Sequence, residues 1–233
     1  MADKIIHLSD PHVKNKGNER VIASRDYIRE RYPYHTVVVT GDITHNGRRS
    51  EYAAAASIFL GDIVCCGNHD FGELGNFDQL SKQEDFNAHF CVSYGYEPEE
   101  RQINPTTVLI GLNTNPGTFG WWFDFARGKV GWFQRRNLKK VLKEYDDCTR
   151  IVYGHHHLTK RHLLMELGDA KKVIEILAGN CEVALMGHFH KDEMLDILGI
   201  PLAHAAGAMF EATEALEITV KDGVVTHKYV KII

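Results

Sequence analysis

Along its first third the chain alternates short apolar runs with amphipathic segments. Lys4-Ile5-Ile6-His7-Leu8-Ser9, Thr36-Val37-Val38-Val39-Thr40 and Ile63-Val64-Cys65-Cys66 are apolar or β-branched and end in Gly or polar residues, which predicts buried strands. Between them lie helical patterns, one from Arg20 to Arg31 stopped by Pro33, the other from Ser50 to Leu60. Past Asp70 the alternation loosens. Leu74 to Phe90 reads as an amphipathic helix with Phe77, Leu80, Phe86 and Phe90 on a core-facing stripe. Thr106 to Leu112 reads as a strand, Pro116 to Gly128 as a loop rich in Gly and aromatics (Trp121, Trp122, Phe123), and Gly131 to Tyr145 as a basic helix. A strand from Arg150 to Tyr153, a helix from Ala170 to Leu177 and a strand from Val183 to Met186 follow. From Pro201 onward the runs Ala205 to Met209, Ala215 to Val220 and Val224 to Ile232 read as antiparallel strands, the last two joined by a hairpin turn at Asp222-Gly223. No repeat, low-complexity linker or composition break divides residues 1–233, so one layered α/β domain is expected.

Composition narrows the function classes. The formal net charge of -4 gives no general attraction for nucleic acid, so an anionic substrate must be held by local positive charge such as metal ions. No apolar stretch is long enough to span a bilayer, and no membrane partner is expected. Five Cys without a spacing pattern, and a start that runs from Met1 directly into a strand, lead us to expect reduced thiols and a cytoplasmic protein. The 14 His are many for this length, and several sit together.

Five polar clusters each follow a strand-like run: Asp10-Pro11-His12, Gly41-Asp42, Gly67-Asn68-His69-Asp70, Gly154-His155-His156-His157 and Gly187-His188-Phe189-His190. In an open α/β sheet ligands bind at the carboxyl ends of the strands. Asp10, His12, Asp42, Asn68, His155, His188 and His190 are therefore expected within reach of one another. Their oxygen and nitrogen donors, without thiolates, argue against a sulfur-rich zinc or iron–sulfur site. They are too many for one ion and its water, whereas two ions sharing a carboxylate would use them all. Two metals ~3.5–4 Å apart are the usual arrangement for phosphate hydrolysis. His45 and Asn46 follow Asp42 and are candidates to touch substrate, although Asn46-Gly47 also reads as a turn. Arg48, Arg49, Lys160 and Arg161 could steer an anion or form a solvated basic surface.

The ordered set Asp-x-His, Gly-Asp, Gly-Asn-His-Asp, Gly-His and Gly-His-x-His, from Asp10 to His190, resembles the calcineurin-like metallophosphoesterases. Thr40-Gly41-Asp42, Tyr52 and Gly67 to Asp70 are similar to the class III cyclic-nucleotide phosphodiesterases; Gly128 to Gln134 is only loosely so. The resemblance implies a four-layer αββα sandwich of two mixed sheets flanked by helices. It implies hydrolysis of a small-molecule phosphodiester, a 3',5'-cyclic nucleotide among the candidates, by a hydroxide formed between two divalent ions (Mn, Fe or Zn). It further implies that Asp10, His12 and His190 hold the first ion, that Asn68, His155 and His188 hold the second, and that Asp42 bridges. His69 would sit beside the leaving group as a catalytic acid, with Asp70 holding its other ring nitrogen. His157 stands where the family often has Pro, which leaves His156 as an alternative ligand or a substrate contact, and Asn113 stands where many cyclic-nucleotide members have Asp. The rival readings are a phosphomonoesterase, protein phosphatase or nuclease on the same fold, or a non-catalytic metal-binding scaffold. The sequence sets no oligomeric state.

Overall fold

The computed structural model describes residues 2–72, 79–95, 97–115, 126–159 and 165–233. The first sheet begins with β1 (Asp3–Leu8), α1 (Glu19–Arg31), β2 (Thr36–Thr40), α2 (Arg49–Ile58) and β3 (Ile63–Cys65). A 3₁₀ turn at His69–Phe71 and α3 (Gln79–Phe90) lead to the second sheet. That sheet is built from β4 (Glu99–Asn104), β5 (Thr107–Gly111), α4 (Gly131–Glu144), β6 (Thr149–Tyr153), α5 (Ala170–Leu177), β7 (Val183–Met186), β8 (Glu193–Ile197) and β9 (Ile200–Ala205). The chain then returns to the first sheet with β10 (Glu214–Lys221) and β11 (Val224–Lys231).

Strand order is β11-β10-β1-β2-β3 in one sheet and β4-β5-β6-β7-β9-β8 in the other. β1, β2 and β3 pair in parallel, as do β5, β6, β7 and β9, while β4, β8, β10 and β11 pair antiparallel. Parallel strands need crossover connections, and buried strands covered on both faces read as continuous apolar runs. Ile5, Ile6 and Leu8 are accordingly all buried.

The period-2 rule divides the second sheet between two cores. Leu109, Ile151, Tyr153, Val183 and Leu185 join the core shared with the first sheet, to which α1, α2 and α3 add Val21, Ile28, Tyr52, Ala55 and Phe86. Val108, Ile110, Val152, Ala184 and Met186 face the other way, against Leu138 and Val141 of α4 and Val173 and Ile176 of α5. Helix, sheet, sheet and helix thus stack in four layers, the expected αββα sandwich. Each buried Val, Leu or Ile contributes about 1.5–3 kcal/mol, so both interfaces are strongly held.

Two local readings need correction. β4 (EERQIN) and β8 (EMLDI) were not anticipated; both are edge strands with polar, partly exposed residues, and pairing on one side needs no apolar alternation. The strand expected from Ala205 to Met209 lies earlier, as β9, and runs parallel to β7. The Asp222-Gly223 turn does join β10 to β11, with φ of 51° and 77°, the positive pair that a type I′ hairpin needs. The expected start of the third helix at Leu74, with Phe77, and the aromatic loop with Trp121, Trp122 and Phe123 fall outside the described residues, as do Lys160 and Arg161.

Candidate metal centre

Five strand ends deliver the site: β1 carries Asp10 and His12, β2 Asp42, β3 Asn68, β6 His155, and β7 His188 and His190. The first three strands belong to one sheet and the last two to the other, so the site straddles the rim where the sheets meet. Asp10, His12, Asp42 and His190 form one group of converging donor atoms; Asp42, His155 and His188 form a second. Asp42 belongs to both. Its Oδ2 lies 3.7 Å from His12 Nε2, and its Oδ1 lies 3.4 Å from His155 Nε2. His12 Nε2 is 3.0 Å from His190 Nε2, and His190 Nε2 is 3.4 Å from Asp10 Oδ1. On the other side His155 Nε2 is 3.1 Å from both Asn68 Oδ1 and His188 Nδ1. Donors bonded at about 2.0–2.2 Å to a common ion stand roughly 3.0–3.5 Å apart, which all but the 3.7 Å His12–Asp42 spacing match.

The backbone supports the same reading. Among the described residues seven non-glycine residues have φ in the left-handed region, and five are these donors: Asp10 (49°), His12 (46°), Asp42 (46°), His188 (78°) and His190 (56°). Asp and His tolerate that region better than most, yet sparsely populated backbone costs about 1–3 kcal/mol per residue and gathers at functional sites. Two glycines permit the packing. A methyl group on Gly67 would strike the amide nitrogen and Oδ1 of Asp42, and one on Gly187 would strike Ser9 Oγ.

Hydrogen bonds from behind aim the donors inward. Asp10 Oδ2 accepts from Ser9 Oγ (2.5 Å) and from the His188 amide (3.0 Å), while Oδ1 is buried without a hydrogen-bond partner. His155 donates its Nδ1 proton to the carbonyl of Thr40 at 2.9 Å, which turns Nε2 toward Asp42. Burial opposes ionisation of Asp10 and Asp42, but the surrounding imidazoles reverse this and hold both carboxyls below the usual range. Burial lowers His12 to about 4, against the pull of Asp42 and Asp10, and lowers His188 to about 4 with help from His155. Both are neutral donors at pH 7. For His155 burial also works downward, but the carboxylates of Asp42 and Asp10 win and raise it to about 9.

This sets a pH dependence. His155 carries a proton at neutral pH in the metal-free protein, and an ion bound there must displace it. Affinity for that ion should rise about tenfold per pH unit up to pH ~9 and then level off, as read by chelator competition. The metal-free fold should show the reverse trend. The stability from the protonated His155 beside Asp42 is complete below pH 6.5 and is lost as pH rises through about 9.

Two expected roles change. Asp70 does not hold His69. Its carboxylate accepts from the amides of Gly67 (2.8 Å), Ile43 (3.1 Å) and Thr44 (2.7 Å) and from Thr44 Oγ1 (2.8 Å), so it braces the loop carrying Asp42. Burial and Asp42 raise Asp70 to about 7 despite the opposing pull of these donors. His69 Nδ1 instead meets the carbonyl of His45 at 2.9 Å, its amide donates to Asp42 Oδ1 at 2.9 Å, and its ring centroid is 4.6 Å from that of His12. His156 is not one of the converging donors, although its ring lies 4.6 Å from that of His188. It is 2 % exposed, and its Nδ1 is 2.7 Å from Thr114 Oγ1, which leaves no surface for a substrate contact. His155→Ala should lose one ion by elemental analysis and His156→Ala should retain both; the opposite pattern would exchange their roles. Asn46 is partly exposed and its amide reaches Glu51 Oε2 at 2.8 Å, in the turn before α2. Ser9, Thr40 and Thr44 were not anticipated as supporting residues. Only their place next to Asp10, Gly41 and Asp42 in sequence could have signalled them.

The family model for calcineurin-like phosphoesterases matches residues 3–192. No curated protein matches the sequence. Among solved structures, a dimetal phosphatase from Danio rerio is 14% identical with a TM-score of 0.69, covering 99% of this chain and 96% of that one. A putative 5'-nucleotidase from Staphylococcus aureus is 14% identical with a TM-score of 0.63, covering 100% of this chain but 55% of its own. GAP50, the anchor in the inner membrane complex of Plasmodium, is 11% identical with a TM-score of 0.65, covering 99% and 85%.

Proposed function

The chain belongs to the calcineurin-like phosphoesterases, and from that premise we propose that it hydrolyses a small-molecule phosphodiester with the help of two divalent ions, Mn, Fe or Zn. Asp10, His12 and His190 would hold one ion, Asn68, His155 and His188 the other, and Asp42 both. The observation that carries this reading is Asp42, whose two oxygens face the two histidine groups separately. Two ions held there would lower the pKa of a bound water and neutralise phosphate oxygens.

His69 supplies the proton for the departing oxygen. Its Nδ1 proton is committed to the His45 carbonyl, so Nε2 is the atom that can carry and release a second one. Asp70 acts on this step through the loop that carries Asp42. Asn46 remains the substrate contact proposed beside Asp42. Neither general nucleic-acid binding nor membrane association is part of this reading; no helix among the described residues is long and apolar enough to cross a membrane. GAP50 shows a similar fold in a protein named as an anchor, but the full donor set around Asp42 favours catalysis here.

The test is a comparison of bis(p-nitrophenyl) phosphate with p-nitrophenyl phosphate in the presence of Mn, followed by cyclic nucleotides, glycerophosphodiesters and nucleotide pyrophosphates. A higher kcat/KM on the diester is expected. A higher value on the monoester would make the protein a phosphomonoesterase.

A further inference from the structure

Behind the rim, two histidines meet in an otherwise apolar interior. His7 of β1 and His204 of β9 are both 0 % exposed, and Ile5 and Leu202, two residues earlier on the same strand faces, are buried too. Their Nδ1 atoms are 2.7 Å apart. His7 Nε2 is 2.9 Å from Thr40 Oγ1, and His204 Nε2 is 3.4 Å from Asp192 Oδ2. Asp192 in turn accepts from Tyr229 Oη at 2.5 Å. An apolar pair could fill the same space without the cost of desolvating two imidazoles. The polar pair therefore calls for a role.

His204 Nε2 faces Asp192 Oδ2 at ion-pair distance without a well-formed hydrogen bond. One proton lies between the two Nδ1 atoms, and His7 Nε2 pairs with the Thr40 hydroxyl, which also reaches the Leu8 carbonyl at 3.3 Å. Burial, reinforced by His204, keeps His7 well below the ordinary imidazole range and so neutral. On its other side the carbonyl of Thr40 receives His155 Nδ1 at 2.9 Å and Ser9 Oγ at 2.8 Å. Thr40 is thus fixed from behind by His7 and holds, in front, the ring of one candidate ligand. β1 and β2 belong to one sheet and β6 and β9 to the other, so this connection spans the sheets that share the site.

We propose that His7 and His204 are positioning residues, a latch between the sheets that holds Thr40 and, through it, the ring of His155. The inference rests on the two-ion reading above. It predicts a selective loss at one ion, which a general loosening of the core does not produce.

The test is titration of the metal-free full chain with Mn, comparing wild type, His7→Leu, Thr40→Val and Ile5→Ala. Ile5 lies on the same strand, is equally buried and has no polar side-chain link, so Ile5→Ala controls for lost packing. The binding step that disappears in His155→Ala identifies the second ion. In His7→Leu that step should weaken by about 10–100-fold, the usual effect of removing support behind a metal ligand. The other step should hold, and Ile5→Ala should lower Tm with both steps intact. Thr40→Val keeps shape and backbone carbonyl and removes only the hydroxyl; it should weaken the same step, and it decides the matter if His7→Leu does not fold. Wild-type affinities in both variants, or equal weakening of both steps, would overturn the latch. A wild type with a single binding step would refute the two-ion reading, and the latch with it.

Discussion

Asp42→Ala is expected to weaken both ions together and to leave no measurable turnover on any phosphoester. Asp42 is 1 % exposed, and each oxygen faces a different histidine group. On the two-ion reading, removing it would take a ligand from both ions at once and remove the anion that offsets the buried imidazoles. Loss of a residue behind a ligand already costs about 10–100-fold in affinity, so loss of a shared ligand should exceed that at each site. The variant also leaves the His69 amide without the Oδ1 acceptor it has at 2.9 Å. Alanine at φ 46° adds backbone strain, so Asp42→Asn is the companion variant, since Asn tolerates that region. Both variants should keep the native circular dichroism spectrum. An Asp42→Ala protein that binds one ion with wild-type affinity would mean that Asp42 serves one site only.

His69→Ala should separate acid catalysis from metal binding. If His69 merely helped to hold an ion, its loss would lower metal content and slow every substrate alike. A proton donor behaves differently, because its value depends on how badly the leaving group needs a proton. An alkoxide leaves poorly without one, whereas a nitrophenolate leaves with little help. The variant should keep both ions and lose ~10²–10⁴-fold in kcat/KM on an alkyl phosphodiester, but far less on bis(p-nitrophenyl) phosphate. Equal losses at unchanged metal content would leave His69 as a phosphate-binding residue.

How far the sequence could be read followed from physical differences between elements. The strands that lead to Asp10, Asp42, Asn68, His155 and His188 are buried on both faces, so each stands out as an apolar run broken by a polar cluster. The edge strands β4 and β8 pair on one side and carry charges, which hides them from a hydrophobic pattern. The placement of β9 beside β7 was equally hidden, because register between distant strands depends on three-dimensional packing. Asp70 misled for a local reason. In a 3₁₀ turn neighbouring side chains diverge by about 120°, so the residue next to His69 in sequence turns back to the Gly67 and Thr44 amides. The choice between His155 and His156 needed the strand end itself, and the His7–His204 pair needed both sheets.

The most direct measurement is the metal content of the wild-type chain. Protein saturated with Mn or Zn, freed of excess ion and analysed by elemental mass spectrometry should carry two ions per chain, with one carried by the His155→Ala variant. A single ion per saturated wild-type chain would contradict a dinuclear centre shared through Asp42.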